Sequence, residues 1–245
     1  MPGLQVAALT EMDGRDEPPR TRIRVCKNGP YILTGNIPVS DQVIVCGDDG
    51  IPVRWEKGQD HPPNETSSLC RCGSSRSKPY CDGSHERAGF DGAETAGNEG
   101  YLDRPDKTEG PGLILWDTEK LCAVALFCHR AGDAWNLTEQ SGDPVKKATA
   151  MEEVGDCPSG RLVAVDKATG KPVEPDFGQS IGLVVGPQTG VPGPIWVRGS
   201  IPVESAEGRT YNKRNRVTLC RCGKSCNKPF CDGEHRKAHP KLEVP

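Results

Sequence analysis

The chain has 245 residues, of which 34% are hydrophobic and 5% aromatic, and its formal net charge is -3. This composition favours several small modules stabilised by metals or disulfides over one large apolar core. Its 29 glycines and 22 prolines predict many turns and short strands, and its 12 cysteines are candidate metal ligands. The apolar runs are too short for a membrane span, so we expect no membrane partner.

The first twenty residues predict a disordered tail rather than a targeting segment. They contain four acidic residues and lack both a basic start and a long apolar run. We therefore expect a cytoplasmic protein. In that reducing compartment, clustered cysteines bind metals more often than they form disulfides.

An internal repeat divides the rest of the chain. GPYILTGNIPV at 29–39 returns as GPIWVRGSIPV at 193–203, and CRCG at 70–73 returns at 220–223. The repeat predicts two modules of short strands followed by a cysteine loop, at residues 21–90 and 181–245. In the first module we place strands at 23–26, 31–33 and 42–46, and a longer loop around 48–63 for its fourteen extra residues.

Two further segments separate these modules. Residues 91–111 are rich in glycine and acidic residues and predict a linker. Residues 112–180 predict a middle module. Its expected elements are strands at 113–116 and 162–166 and helices at 122–129 and 144–156.

Each repeat copy carries the same constellation of possible metal ligands, Cys-x-Cys-x8-Cys-x3-His. The ligands are Cys70, Cys72, Cys81 and His85 in the first copy, and Cys220, Cys222, Cys231 and His235 in the second. Thiolates with one imidazole suit either an iron–sulfur cluster or zinc. The Cys-x-Cys pair suits one metal, and a Cys and a His four residues apart share a face of a helical turn and suit a second. This arrangement favours two irons, with a Cys3His zinc site as the alternative.

The loop CRCGSSRSKPYCDGSH at 70–85 resembles the CDGSH iron–sulfur domain family of mitoNEET-like proteins. The second copy matches too, except that Glu234 stands where the family has a small residue. The resemblance implies a [2Fe–2S] cluster in each loop, with the histidine-bound iron near solvent. It also implies a two-fold pair of modules under a shared strand cap. We therefore expect an α+β fold, strand-rich and irregular, in which the copies form an intramolecular pseudo-dimer and the chain is a monomer. A homodimer is the alternative.

The middle module contains three more candidate ligands, Cys122, Cys128 and Cys157, the last followed by Pro158. A Cys-Pro pair often ends the ligand set of bacterial ferredoxins. Residues 112–166 resemble single-cluster ferredoxins and the divergent 4Fe–4S mono-cluster family, with Ala125 in place of the second cysteine. The resemblance implies a third cluster, either [3Fe–4S] or [4Fe–4S] with another ligand such as His129. The alternative is a ferredoxin-like scaffold with buried cysteines and no cluster.

Charge is unevenly distributed and bears on the partners. Residues 209–241 contain ten Lys or Arg and two acids, whereas residues 91–119 contain two and eight. The basic segment suits an acidic redox partner or the chain's own linker. Nucleic acid is disfavoured, because the net charge is negative and no stripe of stacking aromatics is visible.

These patterns predict an iron–sulfur redox protein that transfers electrons or clusters. No glycine-rich nucleotide loop follows a clear strand, so we do not expect an enzyme acting alone. Two alternatives stay open. One is a structural interaction protein stapled by zinc or iron–sulfur sites, and the other is an electron-transfer subunit of an oxidoreductase.

Overall fold

A computed structural model describes residues 21–97, 105–186 and 192–237. The predicted tail and part of the predicted linker lie outside these ranges. The fold is α+β and strand-rich, as predicted. Its strands are β1 Arg22–Val25, β2 Tyr31–Thr34, β3 Val39–Cys46, β4 Pro52–His61, β5 Thr66–Leu69, β6 Asp106–Glu109, β7 Leu113–Asp117, β8 Leu162–Asp166, β9 Lys171–Val173, β10 Ser180–Val185, β11 Pro192–Arg198, β12 Val203–Glu204 and β13 Arg216–Leu219. Its helices are α1 Ser84–Arg87, α2 Ala134–Glu139 and α3 Pro144–Gly155.

The two repeat copies exchange strands: the second copy contributes β12 to the first sheet, and the first copy contributes β3 and β4 to the second. The first sheet has the order β12-β1-β2-β5 and the second has the order β13-β11-β10-β3-β4. Strand β12 of the second copy pairs in parallel with β1, with Val203 opposite Ile23. Strand β3 of the first copy pairs in parallel with β10, with Val39 opposite Ile181. Each of these two sheets therefore contains strands from both copies.

A single apolar core lies between these two sheets and draws on both copies. Alternate residues of β1 and β2 are buried, as expected for strands with one face against a core. The core contains Ile23, Val25, Tyr31, Leu33, Ile37, Val39 and Leu69 from the first copy, and Ile181, Leu183, Ile195, Val197, Ile201, Val203, Tyr211, Val217 and Leu219 from the second.

The middle module has its own sheet and core. Strands β6, β7, β8 and β9 form an antiparallel sheet in that order. Apolar residues of α2 and α3, among them Leu137 and Val154, pack with residues of β7 and β8. Asp143 starts α3, since its carboxylate accepts the N–H of Val145 at 2.8 Å and a proline follows it. Helix α3 confirms the prediction at 144–156, whereas α2 was not predicted, and β6 lies inside the predicted linker.

The helix predicted at 122–129 is wrong. The chain there forms an irregular loop between two 3-10 turns, Glu119–Leu121 and Phe127–His129. Val124 and Leu126 have φ angles of 53° and 66°, which a right-handed helix does not allow. None of the helices in the described residues is long and apolar enough to be a membrane span.

The segment 48–63, where we expected a longer loop for the fourteen extra residues of the first copy, contains β4 instead. Trp55 of β4 stacks on Phe127 of the middle module and lies against Trp196 of β11, each at 4.8 Å between ring centroids. Its indole N–H donates to the carbonyl of Asp156 at 3.0 Å. Strand β4 thus fastens the middle module to the second sheet.

The shared core predicts that the two strand-exchanged sheets unfold together. Leu183 lies in β10 and is 0% exposed. We expect Leu183→Ala to lower the free energy of unfolding by about 3 kcal/mol through lost burial and a cavity. Hydrogen exchange of the backbone N–H groups of β2 and β11 at increasing urea concentration measures this for each sheet, with Val53→Ala, at an exposed position of β4, as the control. Loss of protection in β11 at a lower urea concentration while β2 is unchanged would contradict a shared core.

Candidate metal centres

The first Cys/His site is a loop folded back on β5. The N–H of Cys70 donates to the carbonyl of Pro79 at 2.8 Å, and the N–H of Cys81 donates to that of Ser68 at 2.8 Å. This fold brings the sulfurs of Cys70 and Cys72 to 3.8 Å and Cys81 Sγ to 3.4 Å from His85 Nδ1. The four predicted ligands therefore fall into two pairs.

The second site repeats this geometry at the end of β13. The N–H of Cys220 donates to the carbonyl of Pro229 at 2.8 Å. The sulfurs of Cys220 and Cys222 are 3.7 Å apart, and Cys231 Sγ is 3.5 Å from His235 Nδ1. Hydrogen bonding from Cys222, helped by backbone N–H groups of the loop, lowers the pKa of the Cys220 thiol. Cys220 thus favours thiolate, the form that binds metal, whereas its hydrogen bond raises the pKa of Cys222 and burial raises the pKa of Cys231.

An aspartate follows the third cysteine and fixes each loop. The Asp82 carboxylate accepts the N–H of Arg76 at 2.8 Å and the N–H of Ser84, the first residue of α1, at 3.0 Å. These hydrogen bonds hold the pKa of Asp82 well below its usual value. In the second loop, Asp232 accepts the N–H of Glu234 at 3.2 Å. Glu234 therefore leaves this contact of the turn in place.

The arginine between the paired cysteines is a residue that we did not predict. Arg71 is 1% exposed and donates to the carbonyl of Gly92 at 2.7 Å, while Arg221 donates to that of Gly193 at 2.7 Å. Burial lowers the pKa of Arg221 to about 10, against the opposing effect of the charges of Asp41 and Cys70. The sequence signal that could have indicated this arginine is its presence in both copies of the Cys-Arg-Cys motif. Through these hydrogen bonds, each buried arginine attaches its cysteine loop to backbone elsewhere in the fold.

The two cysteine loops also contact each other. Gly73 and Gly223 have φ angles of 79° and 78°. A Cβ on Gly73 would lie 2.7 Å from the carbonyl oxygen of Cys222, and a Cβ on Gly223 would lie 2.6 Å from that of Cys72. Both positions therefore require glycine, for backbone conformation and for space. The two sites are neighbours whose backbones pack directly.

The third candidate site is in the middle module. Cys122, Cys128 and Cys157 line one cavity of about 20 Å³. Burial, followed by the charges of Cys157 and Cys122, raises the pKa of the Cys128 thiol to about 12. Arg161 lines the same cavity, and its hydrogen bonds to Asp117 and Cys122 raise its pKa. Three thiols and one cation thus share this cavity.

The expected extra ligand is not where the sequence suggested. His129 is exposed, lies outside the lining of the cavity, and packs its ring against Trp135 at 5.7 Å. Ala125 does line the cavity, as its place in the cysteine pattern implies. Ser159 also lines it, with its hydroxyl 3.5 Å from Cys157 Sγ. The Ser159 hydroxyl is therefore better placed than the His129 imidazole to serve as the additional ligand of this site.

The donor geometry fits metal binding in the two Cys/His loops. Metal–sulfur bonds of about 2.3 Å and metal–nitrogen bonds of about 2.1 Å, at tetrahedral angles, separate the donors by about 3.6 to 3.8 Å. The two sulfur–sulfur separations, 3.8 and 3.7 Å, match this range, and the two sulfur–nitrogen separations, 3.4 and 3.5 Å, fall slightly below it. Within the described residues, no three His, Cys, Asp or Glu side chains are grouped around a point for one ion. Each Cys/His loop therefore presents its four donors as one sulfur–sulfur pair and one sulfur–nitrogen pair.

Comparison with known families agrees with this reading of the residues. A family described as the iron-binding zinc finger of CDGSH type matches residues 28–86 and 192–236. A family described as the divergent 4Fe-4S mono-cluster matches residues 108–167. No curated protein and no solved structure matches the chain. The predicted order of modules, two CDGSH copies flanking a mono-cluster module, is confirmed.

Proposed function

We propose that this chain, an iron–sulfur protein in which two CDGSH modules flank a divergent 4Fe–4S mono-cluster module, works in electron transfer or cluster transfer. The observation that carries the proposal is the pairing of donors in each loop. Two donors for each metal are what a binuclear cluster needs, whereas one zinc ion takes all four. We therefore assign one [2Fe–2S] cluster to each loop.

In the first loop, Cys70 and Cys72 would hold one iron, and Cys81 and His85 the other. Cys220, Cys222, Cys231 and His235 would do the same in the second loop. When bound, such a cluster supplies one-electron oxidation and reduction. A neutral imidazole in place of a thiolate removes one negative charge from the ligand set, which favours the reduced form and raises the potential.

We also propose that the two CDGSH copies form an intramolecular pseudo-dimer and that the chain is a monomer. The reciprocal strand pairing, the common core and the matching Gly73 and Gly223 contacts support this arrangement. Residues 21–90 and 181–245 remain our proposed limits for the two halves, with 91–111 and 112–180 as linker and middle module.

Sedimentation at low concentration checks this arrangement. We expect a single species near the mass of one chain, 26.4 kDa, because each sheet already receives its exchanged strand from the same chain. A dimer that persists on dilution would favour the alternative, in which each copy pairs with a second chain.

The partner that we propose is a separate redox protein, and this chain would not catalyse a reaction alone. Residues near the start of the predicted acidic linker already contact the second copy. The Glu94 carboxylate accepts the hydroxyl of Tyr211 at 2.6 Å and the N–H of Ala206 at 2.8 Å. The predicted linker thus contacts the basic segment at the uncharged Tyr211. A cytoplasmic setting, where thiols stay reduced, completes the proposal.

Metal and sulfide analysis of protein purified without oxygen tests the two [2Fe–2S] assignments. We expect coloured protein, with Cys70→Ser and Cys220→Ser each removing about two irons, since a cluster is lost with its ligand. Cys226→Ser is the matched control, because this cysteine is exposed in the second loop and outside the ligand pattern. Colourless protein with stoichiometric zinc and no sulfide would refute the assignment.

The middle cavity supports a third cluster, and we propose [3Fe–4S], the form that needs three cysteines. A fourth donor such as Ser159 would permit [4Fe–4S] instead. We expect Cys122→Ser to remove about three irons and leave the [2Fe–2S] spectrum unchanged. Cys46→Ser, at a half-buried thiol of β3 outside this cavity, is the control. If the iron content does not change in Cys122→Ser, the middle module is a ferredoxin-like scaffold without a cluster.

A further inference from the structure

The two Cys/His sites share one ligand spacing but differ in exposure. In the second site Cys231 is 3% exposed and His235 is 9% exposed. In the first site Cys81 and His85 are only half-buried. The expectation that both histidines lie near solvent is therefore wrong for His235. Something outside the repeat must cover the second site.

The cover is the middle cysteine loop, residues 120–128. The side-chain amide of Asn227 donates to the carbonyl of Lys120 at 3.0 Å, and Arg236 donates to that of Val124 at 3.4 Å. A Cβ on Gly233 would collide with the Val124 side chain and lie 3.2 Å from the carbonyl oxygen of Cys122. The middle cysteine loop thus packs directly on the turn that leads to His235.

The first site has open space at the equivalent position. Gly83 has a φ of 80°, close to the 87° of Gly233, yet a Cβ there would meet nothing within 4 Å. His85 lines an open depression of about 590 Å³ together with Lys27 and Phe90. Two loops with the same backbone thus have different neighbours.

We infer that the middle cysteine loop is the dedicated internal partner of the second Cys/His site, which it seals from solvent, and that the first site alone is open to exchange with other molecules. This inference depends on the proposed function, because it concerns the ligands of the two clusters. It assigns Val124, Asn227, Gly233 and Arg236 as contact residues that hold the seal. The two sites would then do different work within one chain.

Iron loss to an iron(II) chelator, measured on the loaded protein without oxygen, tests the seal. We expect two phases for the [2Fe–2S] irons, with the second site at least about tenfold slower, because its ligands are reached only after local opening. Proteins carrying Cys70→Ser or Cys220→Ser identify which phase belongs to which site. Gly233→Ala should move the slow phase toward the fast one.

Gly83→Ala is the matched control, because it places the same methyl group on the same backbone conformation in open space. It should leave the slow phase unchanged. Val124→Gly is a second variant for the event that Gly233→Ala does not fold, since it removes the covering side chain and relieves a positive φ. It should accelerate the slow phase, whereas Leu126→Gly, which relieves the same kind of strain beside it, should not.

Each contrary result has a distinct meaning. Protein without iron and sulfide would overturn the proposed function itself. Protein that contains both clusters but releases their iron in one phase would overturn only the seal. Equal effects of Gly83→Ala and Gly233→Ala would also overturn it, because contact with the middle cysteine loop would then make no difference.

Discussion

The exchange of strands between the two repeat copies, with β12 in the first sheet and β3 and β4 in the second, is the constraint on which the rest of the structure depends. Without β12, the first sheet would expose the edge of β1, and without β3 the second sheet would lose the neighbour of β10. The exchange joins two small apolar surfaces into one core, which a composition with 34% hydrophobic residues would not otherwise supply. It also brings the cysteine loops after β5 and β13 into contact, so the positions of the two metal sites depend on it.

Gathering thiolates in a partly buried place is unfavourable unless positive groups lie close by. The protein meets this requirement with backbone N–H groups at Cys220 and with the buried Arg221, on which the charge of Cys70 in the other loop acts. In sequence, Arg71 and Arg221 stand between the paired cysteines of each loop, and both are buried and bound to backbone carbonyls. Arg161 has a similar place in the middle cavity, where Asp117 fixes its guanidinium at 2.6 Å. Each of the three sites therefore combines cysteines with one arginine that is bound elsewhere in the fold.

The sequence predicted what depends on local pattern and missed what depends on distant contacts. Repeat spacing indicated the eight ligands, and the Asp143-Pro144 start signalled α3. The apolar run at 121–128 also has the composition of a helix, and this misled us. Its backbone instead turns at Val124 and Leu126, and Cys122 and Cys128 line the cavity that Cys157 also lines. Propensity does not reveal such a turn, because tertiary packing overrides it. The same holds for β4, whose Trp55 packs against residues far along the chain.

The fusion of two repeat copies in one chain permits an asymmetry that a symmetric homodimer excludes. In a two-fold homodimer both copies present the same surface, so a third module that covers one site covers its twin as well. Here the copies have diverged at the contact: Asn227 and Arg236 stand where the first copy has Ser77 and Glu86. Glu86 would offer a carboxylate to the carbonyl of Val124, an acceptor facing an acceptor, whereas Arg236 donates to it. Divergence at these positions thus directs the middle module to one copy, although both copies keep their ligand spacing.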